Sequence, residues 1–225
     1  MVTTLRDGVW QIDLTGVNAY LADDDGTLTL IDAGMPTHTG AIRGAVDAAG
    51  FSVSDIDRVL ITHFDIDHVG GLAALGVDEI YMGAPDVPYL TKEAKPPLGN
   101  RKGALQRVVS PLIRRPDADI TPVADGDTVG SFRVYATPGH TPGHVAYVSD
   151  ALDAAFVGDL VLERDGELRP SPWYLSYDTE RVRQSIHELA DEEPAVEVLA
   201  MGHGVPFTRD GSIRLAELGE RIERR

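Results

Sequence analysis

The chain opens with three short runs in which apolar and polar positions alternate: residues 8–14 (GVWQIDL), 17–22 (VNAYLA) and 27–32 (TLTLID). A strand with one buried face requires this period of two. Thr15-Gly16 and the run from Asp23 to Gly26 supply turn residues between the strands, so a β-meander is predicted. Over residues 39–49 the apolar spacing lengthens to a helical period, with Ile42, Val46 and Ala49 on one face and Gly50 as the stop. The runs 58–61, 79–82, 154–158 and 198–201 are short and apolar and are predicted as buried strands; 131–136 and 145–149 are further strands. Residues 68–75 start on glycines, continue with small apolar residues and are predicted as a helix. Strands and helices taking turns in this way predict an α/β class, layered as α-β-β-α.

Between 84 and about 120 the rhythm breaks. Six prolines (Pro85, Pro88, Pro96, Pro97, Pro111 and Pro116) exclude a continuous helix, leaving a short one over 104–113. The charge also inverts. Seven basic residues from Lys92 to Arg115, including every lysine of the chain, face one acid, Glu93, whereas the whole chain carries −16. Such a segment reads either as a solvated insertion or intersubunit contact, as in a homodimer, or as a lid drawing an anionic small-molecule substrate into an acidic body. On the second reading Lys95, Arg101 and Lys102 touch substrate. Trp173 and Tyr174, in a Pro-flanked loop, are then apolar walls of the same pocket, or else ordinary packing.

Composition narrows the class. A length of 225 residues suits one domain spanning 1–225 with the basic insertion at about 84–120. The absence of cysteine excludes disulfides, thiolate ligands and a cysteine nucleophile. No apolar run reaches 18 residues and no signal-like start is present, so no membrane span is expected and the expected location is cytoplasmic. The acidic surface disfavours nucleic acid, and its Asp-rich, Lys-poor make-up resembles proteins of high-salt (halophilic) cytoplasms, or else that of an ordinary acidic bacterial enzyme.

The candidate chemistry lies in one loop. His63, Asp65, Asp67 and His68 place four metal-binding groups within six residues, on a strand-to-helix connection where Phe64, Ile66 and Val69 can anchor the other face. Zinc accepts both imidazole and carboxylate, although two histidines in a solvated acidic loop would look the same. No G-x-S-x-G elbow competes for the role of nucleophile. His38 and His187 stand apart, one in a loop and one on a helix face.

The stretch Thr62-His63-Phe64-Asp65-Ile66-Asp67-His68 resembles the H-x-H-x-D-H motif of metallo-β-lactamase-fold hydrolases, with Asp65 where that family commonly has its second His. The family's His coordinates through Nδ1, as many bonds from the backbone as an aspartate oxygen, so a ligand is kept. The resemblance extends to Asp32 at the end of the third strand, to the octet Thr137–His144, to Asp159 and to Gly202-His203-Gly204, in the family's order. It implies a four-layer αββα fold. It further implies one metal site from His63, Asp65 and His140, another from Asp67, His68 and His203, and Asp159 bridging them. Asp32, which could equally be a turn residue, and His144 would stand behind the ligands. Two divalent ions are implied, zinc first, with iron or manganese admitted by the extra carboxylate. A hydroxide held between ions about 3.5–4 Å apart would attack a carbonyl, and Asp67 would orient it or pass a proton. The implied activity is hydrolysis of an ester, thioester or lactone. With 22 residues after His203, a helical thiol-binding domain of the glyoxalase II type is not expected. A small diiron oxidoreductase and a metal-poor binding module on the same fold are the alternatives.

Overall fold

The computed structural model describes residues 1–192 and 195–223. The expected meander forms, with one more strand at its start. Strands β1 (Val2–Arg6), β2 (Val9–Asp13), β3 (Asn18–Asp24) and β4 (Thr27–Ile31) pair antiparallel in sequence order. The sheet continues in parallel through β5 (Ile56–Ile61), β6 (Glu79–Gly83) and β7 (Asp119–Val123). A second sheet has the order β14-β11-β10-β9-β8, built from β8 (Thr128–Val129), β9 (Phe132–Ala136), β10 (Val145–Ser149), β11 (Ala154–Gly158) and β14 (Val198–Met201). A separate hairpin pairs β12 (Val161–Arg164) with β13 (Glu167–Pro170).

Alternation along each strand divides the apolar residues into three clusters, which define four layers. Tyr20, Ile31 and Leu60 of the first sheet meet Phe132, Tyr147 and Phe156 of the second between the sheets. Ile12, Leu30, Val59 and Ile61 point the other way, against Ile42 and Val46 of helix α1 (Thr39–Ala48) and Leu72 of the helices after β5. On the far side, Ala146, Val157 and Met201 pack against Val182, Ile186 and Leu189 of α6 (Thr179–Glu192) and Leu215 and Leu218 of α7 (Gly211–Glu223). Each of these helices buries a stripe at i, i+3/i+4 spacing, the condition for docking an amphipathic helix on a sheet. The protein is therefore an αββα sandwich.

Two helices differ from expectation. The run 68–75 splits into α2 (Ile66–Val69) and α3 (Leu72–Leu75) around Gly70-Gly71. A Cβ on Gly71 would stand 2.2 Å from the carbonyl oxygen of Ala33, so the backbone here is pressed onto the loop after β4. In the basic segment, α4 (Val87–Leu90) is followed by α5 (Arg101–Val109), which starts three residues before the expected helix. Asn100 caps it by accepting from the N–H groups of Lys102 and Gly103, and beyond its end Pro111 sits in a single 3₁₀ turn.

Candidate metal centre

The ligand candidates follow the ends of strands from both sheets. His63, Asp65, Asp67 and His68 follow β5, His140 lies beyond β9, Asp159 follows β11, and His203 lies two residues past β14. The sheets thus present seven side chains at one shared edge. Side-chain nitrogens and oxygens of His63, Asp65, His140 and Asp159 lie within 4.8 Å of one another, as do those of Asp67, His68 and His203. Asp159 faces both groups. Its Oδ2 is 3.9 Å from His63 Nε2, 3.5 Å from His140 Nε2 and 3.1 Å from His203 Nε2, and its Oδ1 is 3.5 Å from His68 Nε2. Ligand atoms about 2.0–2.1 Å from a tetrahedral ion are separated by distances of this order.

Each of these four histidines is held through Nδ1, which leaves Nε2 free to face the cluster. His68 Nδ1 donates to Asp32 Oδ2 (2.8 Å), His140 Nδ1 to Ser171 Oγ (2.7 Å), and His203 Nδ1 to the carbonyl of Gly16. His63 Nδ1 donates to Thr62 Oγ1 (2.9 Å), and that hydroxyl donates to Asp32 Oδ2 (2.8 Å). Asp32 therefore orients two rings from a backbone conformation at φ 60°, and also accepts from the N–H of Thr62. His144 is different: Nδ1 donates to Thr137 Oγ1 and Nε2 accepts from the N–H of Asp159, so both nitrogens are used behind the cluster. The strand ends approach too closely for side chains. A Cβ on Gly202 would fall 2.1 Å from Asp159 Oδ1, and one on Gly158, at φ 48°, would fall 2.7 Å from Thr62.

The electrostatics call for a cation. Among the described residues, His63 Nε2, His68 Nε2 and Asp159 Oδ1 are buried with no hydrogen-bond partner, a costly state that a bound ion would relieve. Burial opposes the charged form of His68 and of His203. Surrounding carboxylates, Asp159 foremost, nonetheless push these pKa values up to about 10 and about 9. Burial and the adjacent Lys102 ammonium bring His140 down to about 4. Burial alone would raise Asp65, but Lys102 holds its carboxyl well below the usual range.

Lys102, one of the substrate-binding candidates, lies at the ligand cluster itself, against Asp65. It reaches inward from α5, 4% exposed, and its ammonium pairs with Asp65 Oδ2 and lies 3.2 Å from His140 Nε2. The other substrate-binding candidates lie outside the cluster. Lys95 is exposed beside a groove it forms with Pro96 and Arg107, and Arg101 stacks over the ring of Trp173 at 5.0 Å, with Tyr174 against that ring. His38 and His187 also lie away from the cluster. Three residues with no sequence signal support the site. Buried Asp86 accepts from the N–H groups of Phe64 and Gly143 and from Thr141 Oγ1, tying two ligand loops together. Gln106 donates to Asp65 Oδ1 and to the Phe64 carbonyl, and Tyr177 donates to Gln106.

A cavity of about 210 Å³ opens over the cluster, with Asp65, Asp67, Lys102, His140, Asp159 and His203 at its floor and Ile66, Leu105, Val109 and Leu175 as apolar walls. The basic segment thus contributes an apolar wall and a single cation here. No described helix is long and apolar enough to cross a membrane.

A family model described as "Metallo-beta-lactamase superfamily" matches residues 12–203. The chain is 31% identical to the "Probable metallo-hydrolase YflN" of Bacillus subtilis, over 96% of this chain and 91% of that one. It is 35% identical to the "Hydroxyacylglutathione hydrolase" of a Bradyrhizobium species over 62% of this chain, a match spanning 46% of that enzyme. Among solved structures, the "metallo-beta-lactamase family protein TTHA1429" from Thermus thermophilus superposes with a TM-score of 0.73 at 23% identity, over 98% of this chain and 81% of that one.

Proposed function

Because the chain belongs to the metallo-beta-lactamase superfamily, we propose that it is a metal-dependent hydrolase of small molecules carrying an ester, thioester or lactone bond. One observation carries the reading. Seven side chains of ligand type converge beneath an open cavity, and three of their buried polar atoms have no hydrogen-bond partner among the described residues. His68, His203, Asp67 and Asp159 would hold a divalent ion, zinc by the mixture of imidazole and carboxylate. A bound ion would supply a Lewis acid that lowers the pKa of water and polarises a carbonyl.

The chain's own groups do the rest. Asp67 edges the cavity, with a carboxylate oxygen 3.5 Å from His203 Nε2, and is the group to accept a proton from water and return it to the leaving oxygen or sulfur. The walls formed by Ile66, Leu105, Val109 and Leu175 suit the apolar part of an acyl chain or lactone ring. Asp32, Ser171 and Gly16 keep the rings in one orientation, so little reorganisation remains at the moment of reaction. The test is hydrolysis of matched ester, thioester and lactone panels by protein purified with Zn²⁺, before and after chelation. Cleavage of one class, lost with chelator and recovered with Zn²⁺, is expected; equal turnover by the stripped protein would sink the proposal. Bound iron with oxygen consumption in place of hydrolysis would move the protein to redox chemistry.

A further inference from the structure

The two ligand groups are not equally free to take an ion. In the second, among the described residues, His68 Nε2, His203 Nε2 and Asp67 have ion-pair contacts with one another and with Asp159. In the first, His63 Nε2 has no hydrogen-bond partner among the described residues and lies 3.3 Å from Asp65 Oδ2, but the two atoms that would face an ion beside it are already engaged. Asp65 Oδ2 pairs with the Lys102 ammonium, which also lies 3.2 Å from His140 Nε2, and Asp65 Oδ1 accepts from Gln106 at 2.8 Å.

Lys102 is built into this place. Asn100 caps its helix and donates to the carbonyl of Tyr177 (3.0 Å), and Tyr177 in turn donates to Gln106 (2.6 Å). Gly103 lets the helix seat, since a Cβ there would stand 2.5 Å from the carbonyl oxygen of Pro97 and 2.9 Å from Tyr177 Oη. The lysine side chain is 5% exposed, and its ammonium ends on the cavity floor. A long, strongly hydrated side chain is buried only against a compensating charge, and Asp65 is that charge.

We propose that Lys102 is the resident cation of the first group, so that the chain takes a single divalent ion, held by Asp67, His68, His203 and Asp159. The inference rests on the metal-dependent reading above and specifies its stoichiometry. The Lys102 ammonium lines the same cavity, where it would stabilise negative charge developing on the oxygen of a substrate carbonyl. Asp65 positions Lys102 and does not ligate the metal.

Counting bound metal tests this without recourse to activity. Protein is loaded with Zn²⁺, freed of excess by gel filtration and analysed for zinc per chain. The native chain should hold one equivalent, His63→Ala should still hold one, and His203→Ala should hold almost none. Lys102→Met, which removes the charge at similar length, should rise to two. Two equivalents in the native chain, or loss of the ion in His63→Ala, would overturn the inference while leaving the hydrolase reading intact. One equivalent in a folded Lys102→Met would do the same. No zinc in the native chain would overturn both. If Lys102→Met does not fold, the contrast between His63→Ala and His203→Ala decides.

Discussion

The two ligand groups that meet at Asp159 contain nearly the same residue types, two imidazoles and one aspartate each, yet they satisfy their charge differently. Around His63, Asp65 and His140 the positive charge comes from Lys102, and His140 is held neutral, its pKa brought down to about 4 by burial and by that ammonium. Around Asp67, His68 and His203 no lysine or arginine of the described residues forms an ion pair. Burial disfavours the charged rings, but carboxylates prevail, and without metal the charge is carried by protons on His68 and His203, with pKa values of about 10 and 9. One group has its cation built in, and the other must recruit one. Ligand spacing alone does not define a site; what neutralises the ligands decides which ion it takes.

The strongest attempt to break this comparison is Asp159→Asn. Its two oxygens face both groups, so the substitution should remove the common counter-charge. Groups that merely orient a ligand cost 10–100-fold in metal affinity, and a directly facing carboxylate should exceed about 100-fold. Zinc affinity by chelator competition checks this. A variant that binds zinc normally would remove Asp159 from the site.

A sharper contrast comes from the groups behind the ligands. Asp32 holds His68, and Ser171 holds His140. Asp32→Ala should weaken zinc binding by about 10–100-fold, whereas Ser171→Ala should leave zinc affinity unchanged, because the ring it orients faces Lys102. Equal losses would make the two groups equivalent.

The same asymmetry has a signature in pH. In chelator-treated protein the pKa values of His68 and His203 lie above the unfolded value of about 6.5. Their contribution to stability is therefore complete below about pH 6.5 and is lost as pH rises through 9 to 10. Asp65, held low by Lys102 against the opposing effect of burial, contributes above the ordinary carboxylate range and loses that contribution on acidification. The urea midpoint of the stripped protein should fall between pH 6.5 and 10, and saturating Zn²⁺, which binds unprotonated rings, should flatten or reverse that fall. A midpoint independent of pH over this range would contradict the charge assignment.

The smallest effect concerns the helix that carries Lys102. Leu105 is half exposed on its cavity side, so Leu105→Ala should change stability by no more than about 0.5 kcal/mol. It should nonetheless raise KM several-fold for a substrate with an apolar acyl chain, more than for an acetyl analogue. Equal effects on both would separate this wall from substrate recognition.

Much of this arrangement was legible in the sequence, because it depends on local order. The alternating run that ends in Asp32, the short apolar runs before His63, Asp159 and His203, and the octet carrying His140 put each polar side chain at or just past the end of a strand. A two-sheet sandwich with helices on both faces then brings strand ends to one edge. Local order also misled at Gly70-Gly71, where the close approach of Ala33 divides an expected helix, and at α5, where the Asn100 cap starts the helix early. Tertiary structure alone decided how the ligands are neutralised. Lys102 is 37 residues from Asp65, inside a basic segment that reads as solvated surface or as a lid over substrate but not as a partner of one ligand, and Asp86 resembles a turn residue after Pro85. Counting charges along a chain treats every lysine as bathed in water. Burial turns one of them into a site component, because a desolvated ammonium persists only where the fold places a carboxylate against it.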